Sequence, residues 1–240
     1  NTINATPEYL ENITAFVSEE VGIAFTQADD LFDATQNVDG FVRVSAAIKT
    51  AAVNLSKMSN DLRLLSSGPK AGIGEINLPA KQNGSSIMPG KVNPVIPEVV
   101  SQVAFRVIGN DLTITMAAES GQLELNAFEP IIFHSLFESI DCLTHAVATL
   151  TANCITGIQA NEMICYKQVE ESAGIATALC PTIGYQKASA IAKEALETGK
   201  TVRELVLEKG LLTIAETDSI LDLKHMAGIP AAILLRDKVI

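Results

Sequence analysis

The stretch VSAAIKTAAVNLSKMSNDLRLL, residues 44–65, decides the fold. Within it Val44, Ile48, Ala51, Leu55, Met58, Leu62 and Leu65 recur at spacings of 4, 3, 4, 3, 4 and 3. A strand alternates every second residue, so this run predicts a helix. A seam that repeats every 3.5 residues on average lies nearly parallel against other helices. A second seam follows the same rule: Phe133, Leu136, Ile140, Leu143, Val147, Leu150 and Cys154, with Gly157 placed to stop the helix. Between them, from Ile96 to about Glu119, the chain is apolar on nearly every face, through Val99, Val100, Val103, Phe105, Val107, Ile108, Leu112, Ile114 and Met116. Its length favours helix over strand, and a helix apolar all round is surrounded by other helices or other subunits. Three long helices of this kind predict an all-α bundle, and the apolar middle helix predicts that the bundle is shared between copies as a homo-oligomer.

The flanks fit that frame. Thr6-Pro7 offers a hydroxyl N-cap followed by proline at the first helical position, and Leu10, Ile13, Val17 and Val21 continue at helical spacing. Residues 27–40 are acidic and polar, end in Asp39-Gly40, and read as a connection. After Met163 the texture shifts to shorter pieces. Residues 184–197 read as a helix ended by Gly199, while Thr201 to Glu204 and Thr213 to Glu216 both match the S/T-x-x-E capping box. The expected division is therefore a bundle portion, residues 1–163, and a small helical C-terminal domain, residues 164–240.

Bulk properties narrow the function classes. A formal charge of −11 disfavours nucleic acid and anionic membrane as partners, and any site for an anion must concentrate its few cations locally. No apolar run is long enough to span a bilayer. Cys142, Cys154, Cys165 and Cys180 show no CxxC or Cys/His ligand spacing, so no metal site is expected. Reduced, mostly buried thiols in a cytoplasmic protein are the natural reading.

Residues 66–94 break the helical pattern. They hold five of the 15 glycines and four of the 9 prolines, a load no packed helix carries, and a loop this long inside a domain is usually functional. Its centre runs Gly84-Ser-Ser-Ile-Met-Pro-Gly-Lys-Val-Asn-Pro94. Taken singly, Ser85 is a turn residue, Lys91 a solvated charge and Asn93 a turn former before proline. Taken together they suit removal of a proton alpha to a carboxylate. That step creates a dianionic, enolate-like species, which must be met by preorganised donors such as glycine N–H groups, a lysine and an amide. Ser85 serves as a base only where its alkoxide is stabilised by the same donors.

This eleven-residue loop resembles the hallmark loop of the aspartase/fumarase superfamily. The resemblance continues through Asn60-Asp-Leu-Arg63, Ser67-Gly-Pro69, Gly157-Ile-Gln-Ala-Asn161 and Gly199-Lys-Thr-Val-Arg-Glu-Leu205. Within the superfamily, Val95-Ile96-Pro97-Glu98 and Met116-Ala-Ala-Glu-Ser-Gly-Gln-Leu-Glu-Leu-Asn126 resemble the aspartase branch more than the class II fumarases, which carry a Gly-His pair where this chain has Gly121-Gln122. The resemblance implies a carbon–nitrogen lyase taking L-aspartate to fumarate and ammonia without a cofactor or a metal, as a cytoplasmic homotetramer acting on a small dicarboxylate. It implies Ser85 as the base for the Cβ proton and Ser86 as a holder of the carboxylate that becomes the enediolate. Lys91 and Asn93 would bind substrate carboxylates, and Glu98 would pair with a catalytic-region histidine. Glu98 also suits the positive end of a helix dipole. Arg63 and Glu75 fit the pattern as structural ion-pair residues. None of His134, His145 and His225 sits where the family's histidine stands, so the chain reads as the C-terminal half of such an enzyme, inactive alone. Two alternatives stay open: a class II fumarase, and a non-catalytic helical assembly module.

Overall fold

Thr6 caps the first helix, α1 (Pro7–Val21), by accepting the Tyr9 N–H at 3.2 Å, and Gly22 ends it in the left-handed region at φ 72°. The computed structural model describes residues 3–82, 88 and 91–228. Among them the architecture is helical, with one two-stranded ribbon. It divides into two units, residues 1–64 with 78–157 and residues 65–77 with 158–240.

The first unit is built on three long helices, α3 (Asp39–Leu65), α4 (Val95–Glu119) and α5 (Glu129–Leu150). Residues 27–40 are more than a connection. Asp30 accepts the Phe32 and Asp33 N–H groups and starts a short helix, α2 (Leu31–Gln36), and α3 already begins at Asp39. An aspartate with free backbone donors after it nucleates a turn even in a polar stretch.

Three core layers set the packing. Val38, Phe41 and Ile48 meet Ile114, Ile132 and Leu136; Ala52 meets Ala104 and Val107; Leu55 and Leu62 meet Val100, Ala146 and Leu150. Rising residue numbers on α3 meet falling numbers on α4 and rising numbers on α5, so α4 runs antiparallel to both. Ile114, Ile132, Val100 and Val107 are almost wholly buried, each worth roughly 1.5–3 kcal/mol of transfer free energy.

The buried face of α3 differs from the expected seam by one position. Ile48, Leu55 and Leu62 do face the core, but Val44 and Met58 are about half exposed, at 48% and 49%. The second buried row is instead Ser45, Ala52 and Ser59. Small residues there let the α4 backbone come close, which large residues in the Val44 row would prevent. On α4 the all-round apolar surface is real. Val100, Val107 and Ile114 are buried, while Val99, Phe105, Leu112 and Met116 face outward unpartnered. The α5 run ends at Leu150 and passes into a π turn, Thr151–Ile155, before Gly157 turns the chain at φ 109°.

The second unit gathers short helices around Leu179, Ile191, Val202, Leu205 and Val206. Its members are α6 (Glu162–Glu170), a 3-10 helix (Ala173–Leu179), α7 (Cys180–Ile183), α8 (Tyr185–Thr198), α9 (Val202–Glu208), α10 (Ile214–Ile220) and α11 (Leu223–Met226). Gly199 ends α8 in the left-handed region, and both expected capping boxes are formed in full. Arg203 donates to Glu170 at 2.8 Å and also pairs with Asp218, tying α6, α9 and α10 together. Residues 65–77 belong here through β1 (Ile76–Asn77), which pairs antiparallel with β2 (Gln159–Ala160).

No described helix is long and apolar enough to cross a membrane. The cysteines are free, but only Cys154 is fully buried; Cys142, Cys165 and Cys180 are half-buried.

Candidate active site

The stems of the glycine-rich loop are fixed even though its tip is not among the described residues. Leu78 and Pro79 form one stem and Pro94 to Pro97 the other. Both pack against Asn153 and Cys154 of the π turn, around a cavity of about 10 Å³, too small for more than a water. Glycine suits position 157 at this base, because its φ of 109° is one that L side chains rarely adopt and a β-carbon there would stand 3.2 Å from the Pro79 ring. Burial pushes the Cys154 thiol up, so it stays protonated and serves as packing. The π turn lies outside what helical spacing reveals. Only its place at the end of the α5 seam, just before Gly157, hinted at a change of geometry.

Ser85 and Ser86 lie outside the described residues. Lys91, Asn93 and Glu98 can be placed. The Lys91 N–H donates to the Met88 carbonyl at 3.2 Å, and the Lys91 residue is exposed. Asn93 is half-buried one residue before Pro94, and its carbonyl accepts the Val95 N–H at 2.9 Å. Pro94 is the cap of α4 and makes no side-chain hydrogen bond to its first turn, where the Glu98 N–H donates to the Pro94 carbonyl at 3.2 Å. Lys91 and Asn93 therefore sit in the chain leading into the positive end of a 25-residue helix, a setting that favours a carboxylate.

Glu98 is in the first turn of α4, half-buried, with the Arg63 guanidinium 3.7 Å away. Arg63 comes from the last turn of α3 and also donates to the Asn60 amide oxygen at 3.3 Å. The sequence marked Arg63 as an ion-pair residue, and Glu98 is its partner. This pairing places a positive charge beside the one carboxylate in the first turn of α4. It also joins the Asn60–Arg63 motif to the loop's second stem.

The Gly157–Asn161 motif does different work. The Asn161 N–H donates to the Glu75 carbonyl at 2.8 Å, and its side-chain amide donates to the Gly74 carbonyl at 2.6 Å and exchanges hydrogen bonds with Asn77. Gln168 holds the Ile73 carbonyl at 2.8 Å, and the Ile73 N–H reaches the Ser67 hydroxyl at 3.0 Å. These side chains satisfy the irregular backbone of residues 67–75, which lies outside the β1–β2 ladder. Among the described residues no three His, Cys, Asp or Glu side chains stand together as a metal site would require.

The family described as "Lyase" matches residues 1–109, and that described as "Fumarase C C-terminus" matches residues 175–228. The chain is 54% identical over 224 residues to an aspartate ammonia-lyase of Helicobacter pylori, covering 93% of this chain and 48% of that one. The chain belongs to the aspartase/fumarase superfamily. Solved superfamily structures share its backbone. One is described as a fumarate lyase:delta crystallin from Brucella melitensis bound to cobalt, with 51% identity and a TM-score of 0.87 over 94% of this chain and 49% of that one. Another is a class II fumarase from Schistosoma mansoni, with 32% identity and a TM-score of 0.82 over 92% of this chain and 49% of that one. The chain spans about half the length of the curated relatives it matches.

Proposed function

We propose that this chain is part of an aspartate ammonia-lyase that converts L-aspartate to fumarate and ammonia. The observation that carries the reading is the contrast in likeness: 54% identity to an aspartate ammonia-lyase against 32% to a class II fumarase, over similar shares of the chain. Gly121-Gln122, in place of the fumarases' Gly-His, agrees with it.

In this reading Ser85, as its alkoxide, takes the Cβ proton. The electron pair left on carbon is drawn into the neighbouring carboxylate as an enediolate, held by Ser86 and by loop N–H groups. The pair then forms the carbon–carbon double bond as the Cα–N bond breaks and ammonia leaves. Lys91 and Asn93 bind the substrate carboxylates, aided by the positive end of the α4 dipole. Glu98 keeps the second stem in place through Arg63. No cofactor is required, since the substrate's own carboxylate serves as the electron sink. The outward apolar row on α4 supports a homo-oligomer, a tetramer by family resemblance, and the composition and free cysteines support a cytoplasmic location.

The test is a fumarate-absorbance assay on the complete protein with aspartate and with malate. Fumarate from aspartate is expected; fumarate from malate alone overturns the reading in favour of a fumarase. In the same protein Ser85→Ala should lower kcat with little change in KM, and Lys91→Ala should impair both. Near-native turnover by Ser85→Ala would remove the serine from its role.

A further inference from the structure

We propose that Asp111 is the register lock of the α3–α4 pair and thereby the residue that keeps Arg63 opposite Glu98. The core between these two helices repeats itself every seven residues. On α3 the large positions are Phe41, Ile48, Leu55 and Leu62, and the small ones Ser45, Ala52 and Ser59. On α4 the large positions are Val100, Val107 and Ile114, and the row beside them is Pro97, Ala104 and Asp111. Sliding α3 along α4 by one heptad therefore sets large against large and small against small almost as before. Apolar packing alone does not select one register from its neighbour.

Asp111 breaks the degeneracy. It is buried, accepts the Ser45 hydroxyl at 2.8 Å and receives the Lys49 ammonium at 2.5 Å. One heptad further along α3 the equivalent positions are Ala52 and Ser56, which supply neither the ammonium nor the same hydroxyl. A slipped helix would leave a buried carboxylate without its cation, the arrangement a protein interior tolerates least. The α4–α5 pair has its own fastener. Asn110 donates to Ser139 at 3.0 Å and to Glu138 at 2.8 Å, and a short corner, residues 120–128, already joins those helices. By contrast α3 and α4 are joined by residues 66–94, a span too long to fix register. The lock is needed where the connection is long.

A seven-residue slip moves one helix about 10 Å along the other. It would carry Arg63 away from Glu98 and from the loop's second stem, although Asp111 itself lies far along α4 from both. Asp111 is in this sense a positioning residue. The lock stands on the helices alone and does not depend on the proposed reaction.

The experiment measures a distance between nitroxide labels on ketone-bearing side chains at Val53 and Val99. Both sites are exposed, and this chemistry spares the four cysteines. Labelled chain is diluted in unlabelled chain so that only distances within one chain are read. The original protein should give one narrow distribution, and Lys49→Arg, which keeps a cation facing Asp111, should keep it. Asp111→Leu should add a second population displaced by about 10 Å along the helix axis. In a further variant the lock is moved one heptad: Ser45→Ala and Lys49→Ser together with Ala52→Ser and Ser56→Lys. That variant should adopt the displaced distance as its main one. A folded Asp111→Leu protein with the single original distance overturns the proposal, as does a moved-lock variant that keeps it. If one of the two variants fails to fold, the other decides.

Discussion

Glu138 accepts a hydrogen bond from Asn110 and two from Arg106, and these donors, with Asn110 the larger influence, hold its carboxyl below the ordinary glutamate value of 4.5. A carboxyl whose folded value is depressed stabilises the protein at a pH above its unfolded value and loses that contribution as the pH falls through its folded value. Glu138→Gln should thus lower stability by about 1 kcal/mol at neutral pH, a modest figure because the side chain is partly exposed. The gap should close in acid, and urea unfolding midpoints at neutral and acid pH check both statements; an equal gap at both pH values would contradict the assignment. Cys154 offers a second residue-scale test. As a buried, protonated thiol it should be the last of the four cysteines to react with a maleimide, by mass spectrometry, and should react fully only in denaturant. At this scale the sequence was a partial guide. Lys91 and Asn93 stand out as candidates because the loop motif is long, and Glu98 because it follows in the resembling flank. The pairing of Glu98 with Arg63 was not legible, because residues 35 apart are brought together only by the antiparallel run of two helices.

Helix ends were the most legible elements, since a cap is a local contract between a side chain and a backbone within four residues. Thr201 with Glu204 and Thr213 with Glu216 form both halves of their boxes. Thr201→Ala or Thr213→Ala should each cost about 1 kcal/mol, seen as a fall of a few degrees in Tm. The face of α3 was less legible. Period alone could not choose between the Val44 row and the Ser45 row, both of which sit at heptad spacing beside Ile48. Small, partly polar residues won because α4 packs closely there and supplies Asp111 as a partner. The 67–77 segment shows the opposite case, irregular in pattern yet tightly specified. A β-carbon on Gly72 would stand 2.3 Å from the Ser67 carbonyl carbon, so Gly72→Ala must displace backbone. A loss of about 1–3 kcal/mol is expected in thermal or urea unfolding; unchanged stability would mean that this turn is not packed as described.

At the scale of the whole molecule, the outward row of Phe105, Leu112 and Met116 on α4 is too apolar for a free surface. Light scattering at micromolar concentration should show self-association, and a stable, well-folded monomer would contradict it. The all-helical architecture followed directly from the seams. The path of the chain did not, because no periodicity announces that Glu75 and Asn77 will meet Asn161. That path has a practical consequence for anyone dissecting the protein. The backbone passes from one unit to the other three times, after residues 64, 77 and 157. A piece cloned from Ile158 onward would lack β1, and Asn161 and Gln168 would lose the carbonyls they hold. Expressing that piece as a stand-alone protein calls for splicing residues 65–77 onto it, since a single scission leaves it short of its own first strand.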